Sequence, residues 1–184
     1  RKELGLKDKF VVGHVGRLHP QKNHDFLIDV FAEIKKKKSD AELILVGNGP
    51  LEEKVKSKVA EKGLSGCVHF LGNRKDMNRI YQAMDVFVFP SLFEGLGIVA
   101  IEAQAAGIPI VCSEGLPPET DITPIYRKLL LSDGAEKWAN AALEMAQNPS
   151  AHTNMQKYVI DTGFDMDATA KYMESYYLNR WRTV

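Results

Sequence analysis

Residues 89–107 read FPSLFEGLGIVAIEAQAAG. Phe89, Pro90 and Ser91 read as the exit of a strand, which runs through a glycine-spaced turn into a helix. Glu94 stands just before that helix and Glu102 inside it, with seven residues between them. Gly95 and Gly97 leave the backbone bare at the helix N-terminus. N–H groups without partners and the positive end of the helix dipole attract phosphate there. At about 1.5 Å of rise per residue, the two carboxylates should stand roughly 10 Å apart. That separation lets one reach a sugar and the other a ribose, with a diphosphate between them at the helix start. The segment has the layout of a grip for a nucleotide-sugar.

Outward from this stretch, short apolar runs alternate with helical patterns. Residues 10–15, 42–46, 68–71, 86–89 and 108–112 read as buried strands, because they are short, rich in β-branched residues and end at Gly or Pro. Phe26, Leu27, Val30, Phe31 and Ile34 mark the apolar face of a first helix. Leu51, Val55 and Val59 mark a second, with Gly63 as its stop, and Met77, Ile80, Tyr81 and Met84 mark a third. This alternation predicts an α/β fold, a Rossmann-like parallel sheet with helices on both faces. Such sheets bind ligands beyond the carboxyl ends of their strands, and Arg17, Gly47–Pro50, Leu71–Asn73 and Glu94 fall at those ends. Downstream, residues 113–123 read as a loop, 128–131 as a short edge strand, and 138–147, 150–161 and 167–181 as helices. Tyr172, Tyr176, Tyr177 and Trp181 fall on or near one face of the last helix.

Three further stretches, GHVGRLHPQKN, LILVGNGPLEEKV and VHFLGNRKDM, join EGLGIVAIE in carrying a resemblance that covers nearly the whole chain. Together, and in this order, they resemble the retaining glycosyltransferases of group 1 (family 4), which have the two-domain GT-B fold. The resemblance implies that residues 1–184 form a single nucleotide-sugar (donor) binding domain and that an N-terminal acceptor domain is absent. The start at Arg1, without methionine, fits a piece of something longer. It assigns catalytic roles to Arg17 and Lys22, on the diphosphate, and to Glu94, on the sugar hydroxyls. It assigns donor contacts to Gly16, Gly47, Asn48, Gly49, Leu71, Gly72, Asn73, Gly95, Leu96, Gly97 and Glu102. The Gly16 loop is expected to face the phosphates, and the Leu71–Gly72–Asn73 region the base. Many relatives follow the strand at Val111 with a paired-glycine turn and a glutamate. This chain has SEGLPPETDIT instead, which points to unusual donor choice. The resemblance further suggests exopolysaccharide or capsule assembly, in the cytoplasm or peripherally at the membrane.

The chemistry gives these residue types a reason. Loss of a nucleoside diphosphate builds negative charge on the leaving phosphate, and a metal or fixed cations and N–H groups must neutralise it. The sequence lacks the Asp-x-Asp pattern that would hold a divalent metal, and no pair of its five histidines has metal-ligand spacing with a supporting Cys or Asp. No cofactor and no metal are therefore expected. Arg17 can grip two phosphate oxygens, and Lys22 adds a point charge. Glu102 interrupts an apolar run, which predicts a carboxylate away from water and in need of partners; a ribose diol offers two donors.

Bulk properties narrow the alternatives. A length of 184 residues suits one well-buried domain. The net charge is zero, so nothing argues for a nucleic-acid partner, and no apolar run reaches the roughly 18 residues of a membrane span. Cys67 and Cys112 read as buried free thiols, and the basic run 35–38 as a solvated helix end. A non-catalytic nucleotide-sugar binding module remains an alternative. So does an NAD-type Rossmann oxidoreductase domain, although Glu52 replaces the third glycine of that fingerprint and the motif follows the second strand. A sugar-nucleotide epimerase of the same two-domain fold is a close variant. A glycosidase fits poorly, because both glutamates belong to one helix segment rather than facing across a cleft.

Overall fold

All pairings in the sheet are parallel, and the four central strands are buried on both faces, as helix-covered parallel sheets demand. The structure is a computed structural model that describes residues 1–181. Six strands, β1 (Phe10–Val15), β2 (Ala41–Val46), β3 (Val68–Phe70), β4 (Val86–Phe89), β5 (Ile110–Ser113) and β6 (Tyr126–Leu129), lie in the order β3-β2-β1-β4-β5-β6. Seven α-helices accompany them among the described residues: α1 (His24–Lys37), α2 (Glu52–Glu61), α3 (Met77–Tyr81), α4 (Ile98–Ala105), α5 (Ala135–Met145), α6 (Gln156–Asp161) and α7 (Met166–Trp181). Helices α1, α2 and α5 pack on one face, with Leu27, Phe31, Val55 and Trp138 against Val12, Leu43, Leu45 and Val88. Helices α3 and α4 pack on the other, with Ile80, Tyr81, Ala100 and Ala103 against Val11, Ile44, Phe87 and Phe89. Each fully buried aromatic or aliphatic side chain contributes about 1.5–3 kcal/mol. The Rossmann-like α/β architecture is as expected.

The chain winds from β1 out to β3, then returns to place β4 on the other side of β1. The crevice where the order reverses lies beyond the carboxyl ends of β1 and β4. This is where doubly wound sheets bind ligands, and the loops starting at Gly16 and Pro90 meet there.

Several boundaries move for identifiable reasons. Strand β5 starts at Ile110 rather than Ile108, because Pro109 has no N–H to give the ladder; its carbonyl accepts from Phe87 N instead (2.8 Å). The helix expected from Ser150 starts at Gln156. Asn148 and Asn154 accept from the backbone of Ser150 and Gln156, both at 2.9 Å, holding local turns that compete with helix. The edge strand runs over Tyr126–Leu129, two residues earlier than expected, because a 3-10 turn takes up Leu131–Asp133. Cys67 and Cys112 are buried and free, and burial pushes the Cys112 thiol up to about 12. Among the described residues no helix is long and apolar enough to cross a membrane. Helix α7 buries none of its residues: Tyr172, Tyr176, Tyr177 and Trp181 are all exposed.

Candidate functional site

The glycines at the strand ends act first on the backbone. A side chain at Gly47 (φ +124°) would meet the Gly16 carbonyl oxygen at 2.3 Å, and one at Gly49 would meet the Leu18 carbonyl oxygen at the same distance. Leu18 N donates to Asn48 O (3.1 Å), and Gly47 N to Gly72 O (2.8 Å). The bare turn after β2 is thus a bed for the loop after β1, and it is tied in turn to the Leu71–Gly72–Asn73 segment. Gly16 lies beneath the Lys22 stem, whose methylenes would sit 3.1–3.2 Å from an added side chain. This stacking of loops shapes the Arg17–Lys22 turn, in which Arg17 is exposed and has no partner among the described residues.

Lys22 crosses the switch point. Its ammonium lies 2.6 Å from Glu94 Oε1 and 4.8 Å from the centre of the Phe89 ring. The two side chains are only 15% and 8% exposed, so this ion pair is sheltered from water. The cation expected on phosphate and the carboxylate expected on sugar, 72 positions apart in sequence, therefore meet at one point. Gln21 reinforces the junction: its carbonyl accepts from Leu92 N (2.8 Å) and its side-chain amide donates to Phe93 O (2.9 Å).

Just beyond, helix α4 opens at Gly97, whose left-handed backbone (φ +70°) suits glycine. No side chain caps this helix end. Gly95 has open space around it and Leu96 is exposed, so the approach to the bare N–H groups is clear. The unusual 113–123 loop buttresses the turn from behind. Glu94 N donates to Gly115 O (2.9 Å), and a side chain at Gly115 would collide with the Leu92 carbonyl oxygen at 2.4 Å. Buried Gln104 anchors the loop's far side, donating to Thr120 O (2.8 Å) and accepting from Thr123 Oγ1 (2.8 Å).

Glu102 corrects the expectation of a carboxylate shielded from water. It is exposed, because its turn of α4 points away from the sheet while Ala100, Ala103 and Gln104 face inward. Among the described residues the one hydrogen-bond partner of its side chain is Tyr81, whose hydroxyl donates to Oε2 at 2.8 Å.

Sequence reasoning missed Tyr81, Gln104 and a buried histidine pair beneath the Lys22 turn. His14 Nδ1–H donates to Val88 O (2.9 Å), and the His14 and His24 rings meet edge to face at 4.7 Å. His14 Nε2, His24 Nδ1 and Ser91 Oγ are buried without hydrogen-bond partners. Orphaned polar atoms are costly and collect at functional sites. Burial, with the Lys22 cation nearby, holds His24 down at about 4; burial, His24 and Lys22 keep His14 well below its ordinary value. Both rings are neutral at pH 7. The only sequence signal was a histidine inside an apolar strand.

The family model of the glycosyl transferases group 1 matches residues 1–174. The chain belongs to this family. It is 35% identical to the putative glycosyltransferase EpsF of Bacillus subtilis over 140 residues, 76% of this chain and 36% of that protein. It is 32% identical to the GDP-mannose-dependent monoacylated alpha-(1-6)-phosphatidylinositol monomannoside mannosyltransferase of Corynebacterium glutamicum over 160 residues, 81% of this chain and 41% of that one. In structure it matches sucrose-phosphate synthase from Thermosynechococcus elongatus with a TM-score of 0.85 at 28% identity, over 100% of this chain and 49% of that one. It also shares the fold of Anabaena HepE, solved with UDP and glucose (TM-score 0.79, 23% identity, 97% of this chain and 50% of that one). The chain spans half or less of the length of each of these relatives.

Proposed function

We propose that this chain is the donor-binding domain of a retaining glycosyltransferase of GT-B architecture. The whole enzyme moves a sugar from a nucleoside-diphosphate sugar to an acceptor without a divalent metal. The observation that carries the reading is the sheltered Lys22–Glu94 pair at the open N-terminus of α4. It brings a phosphate cation, a sugar-binding carboxylate and free backbone donors to one spot. A diphosphate laid across that spot meets Arg17 from one side and the helix N-terminus from the other, so the charge of the departing nucleotide is met by fixed groups. Glu94 accepts from the donor sugar's hydroxyls and Glu102 from the ribose. The UDP held by Anabaena HepE supports a nucleotide in this kind of fold.

Arg17, Lys22 and Glu94 line only the donor wall. Acceptor binding falls to a second domain, and the exposed α7 aromatics are the face this reading expects that domain to cover. Sugar transfer is accordingly expected from the whole enzyme and not from residues 1–184 alone. The NAD reading loses ground to the geometry, since Gly47 and Gly49 receive the backbone of residues 16 and 18 rather than open onto a ligand.

Calorimetry of the chain with UDP, GDP and ADP in the presence of a chelator tests the proposal. Weak binding of at least one nucleotide is expected. No binding of any at millimolar ligand sinks the donor assignment, and binding abolished by the chelator sinks metal independence.

A further inference from the structure

The geometry points to Tyr81 as the residue that positions Glu102 for the ribose, and we propose that this contact sets the site's preference for a ribonucleotide over a deoxynucleotide. The inference rests on the reading of Glu102 as the ribose acceptor. An exposed glutamate on a helix explores several rotamers, and fixing it on binding costs up to about 2 kcal/mol of side-chain entropy. Glu102 is such a residue, yet it is held by a partner whose ring is buried in the core.

Tyr81 ends α3 and is 3% exposed. Its ring packs at 67° to Phe87 with centroids 6.2 Å apart, inside the core shared by α3 and α4. Only its hydroxyl reaches the surface chemistry, donating to Glu102 Oε2 at 2.8 Å with Val99 O as a longer second acceptor at 3.4 Å. Burial and the Glu102 carboxylate both push the phenol far above its ordinary value, so it stays a donor at any working pH.

A carboxylate has about four lone-pair directions. With one taken by Tyr81, Oε2 is anchored, and Oε1 with the remaining direction on Oε2 is left for two adjacent hydroxyls. The 2′- and 3′-hydroxyls of a ribose are such a pair. Tyr81 touches no ligand in this arrangement; it acts through Glu102.

The test compares UDP and GDP with their 2′,3′-dideoxy counterparts, titrated calorimetrically into the 184-residue chain and its Tyr81→Phe variant. Phenylalanine keeps the ring in the core, and circular dichroism checks the fold. For whichever ribonucleotide binds, Tyr81→Phe is expected to weaken affinity about 10-fold, in the range of one hydrogen bond to a charged group. The dideoxy form should lose less than about 2-fold. In a Glu102→Ala background the same change should have no further effect. Equal losses for ribo and dideoxy ligands, or a full loss persisting without Glu102, overturn the proposal and leave the donor assignment standing. A wild-type chain that binds both ligand forms equally removes the ribose assignment and this inference with it. A chain that binds none removes the donor reading itself.

Discussion

Glu94 and Glu102 flank the same helix start but are held in opposite ways. Glu94 is a sheltered ion of a pair, pinned to Lys22 beside an aromatic ring and backed by two neutral histidines. Glu102 stands in water and is steadied by one buried phenol. Partner choice follows from burial. A carboxylate withdrawn from solvent needs an opposite charge, whereas one left in solvent needs only orientation. Under the proposed function, the first arrangement couples sugar and phosphate recognition electrically, and the second leaves ribose recognition to hydrogen bonds from an oriented carboxylate.

The largest effect should come from protonating the floor of the Glu94 end. His24 sits at about 4 in the folded chain against an ordinary value of 6.5. A depressed histidine favours the neutral form on folding, so the unfolded chain binds more protons between those values. Its contribution is complete above about pH 6.5 and is lost as pH falls toward 4, on the order of 2 kcal/mol by pH 5. His14, lowered in the same direction, adds to it. Urea unfolding midpoints should fall between pH 7 and 5, and His24→Gln should flatten that slope. A midpoint that does not fall would show that both rings reach water.

Next comes Arg17→Ala. The Lys22 charge is already met by Glu94, so the uncompensated cation offered to a diphosphate is the exposed Arg17. A forked contact to two phosphate oxygens is worth ~2 kcal/mol, or about 30-fold in nucleotide affinity. Lys22→Ala should cost less. The reverse order, read by calorimetry with UDP, would move the main phosphate contact to the lysine.

These expectations also measure how far the sequence could be read. The strand-helix alternation, the helix at residue 98 and the stop at Gly63 (φ +70°) were legible, because periodicity and glycine placement are local signals. That Lys22 and Glu94 lie together was legible only through family resemblance, since nothing local links positions 22 and 94. The exposure of Glu102 was misread: an apolar run around a glutamate looks buried, yet Glu102 shares the outward face of α4 with exposed Ile98 and Ala105. Tyr81 and Gln104 left no trace of a role and the His14–His24 pair left only a histidine inside an apolar strand, because each looks like ordinary core until the elements that frame it are in place. The 113–123 loop was visible as a departure, but its use as a buttress depends on Gly115 approaching Leu92, a contact between separate strand exits.

Glu102→Ala separates the two carboxylates from the ribose side. The nucleotide and the nucleotide-sugar share a ribose, so both should weaken by about 10-fold, the loss of hydrogen bonds to one charged acceptor. UDP and UDP-glucose titrated in parallel check this. A loss confined to UDP-glucose would move Glu102 from the ribose to the sugar.

Glu94→Gln carries the smallest effect on free nucleotide and the most telling sign. The amide keeps the shape of the carboxylate but no longer neutralises Lys22, 2.6 Å away. A freed ammonium at the mouth of α4 strengthens the field felt by a diphosphate. Free UDP should therefore bind up to about 3-fold tighter, the effect of one uncompensated charge acting on the diphosphate across water, below about 1 kcal/mol. UDP-glucose should move the other way, about 10-fold weaker, because the charged acceptor for its sugar hydroxyls is gone. The ratio of the two affinities then shifts by about 30-fold, well outside calorimetric error, although one of its parts is small. In Glu102→Ala the same ratio should stay constant, since both ligands lose the same contact. If Glu94→Gln weakened UDP and UDP-glucose equally, the pair would be a structural clamp on the turn, and the electrical coupling of sugar to phosphate would be refuted. A constant ratio in one variant and a shifted ratio in the other is the pattern that two differently held glutamates require.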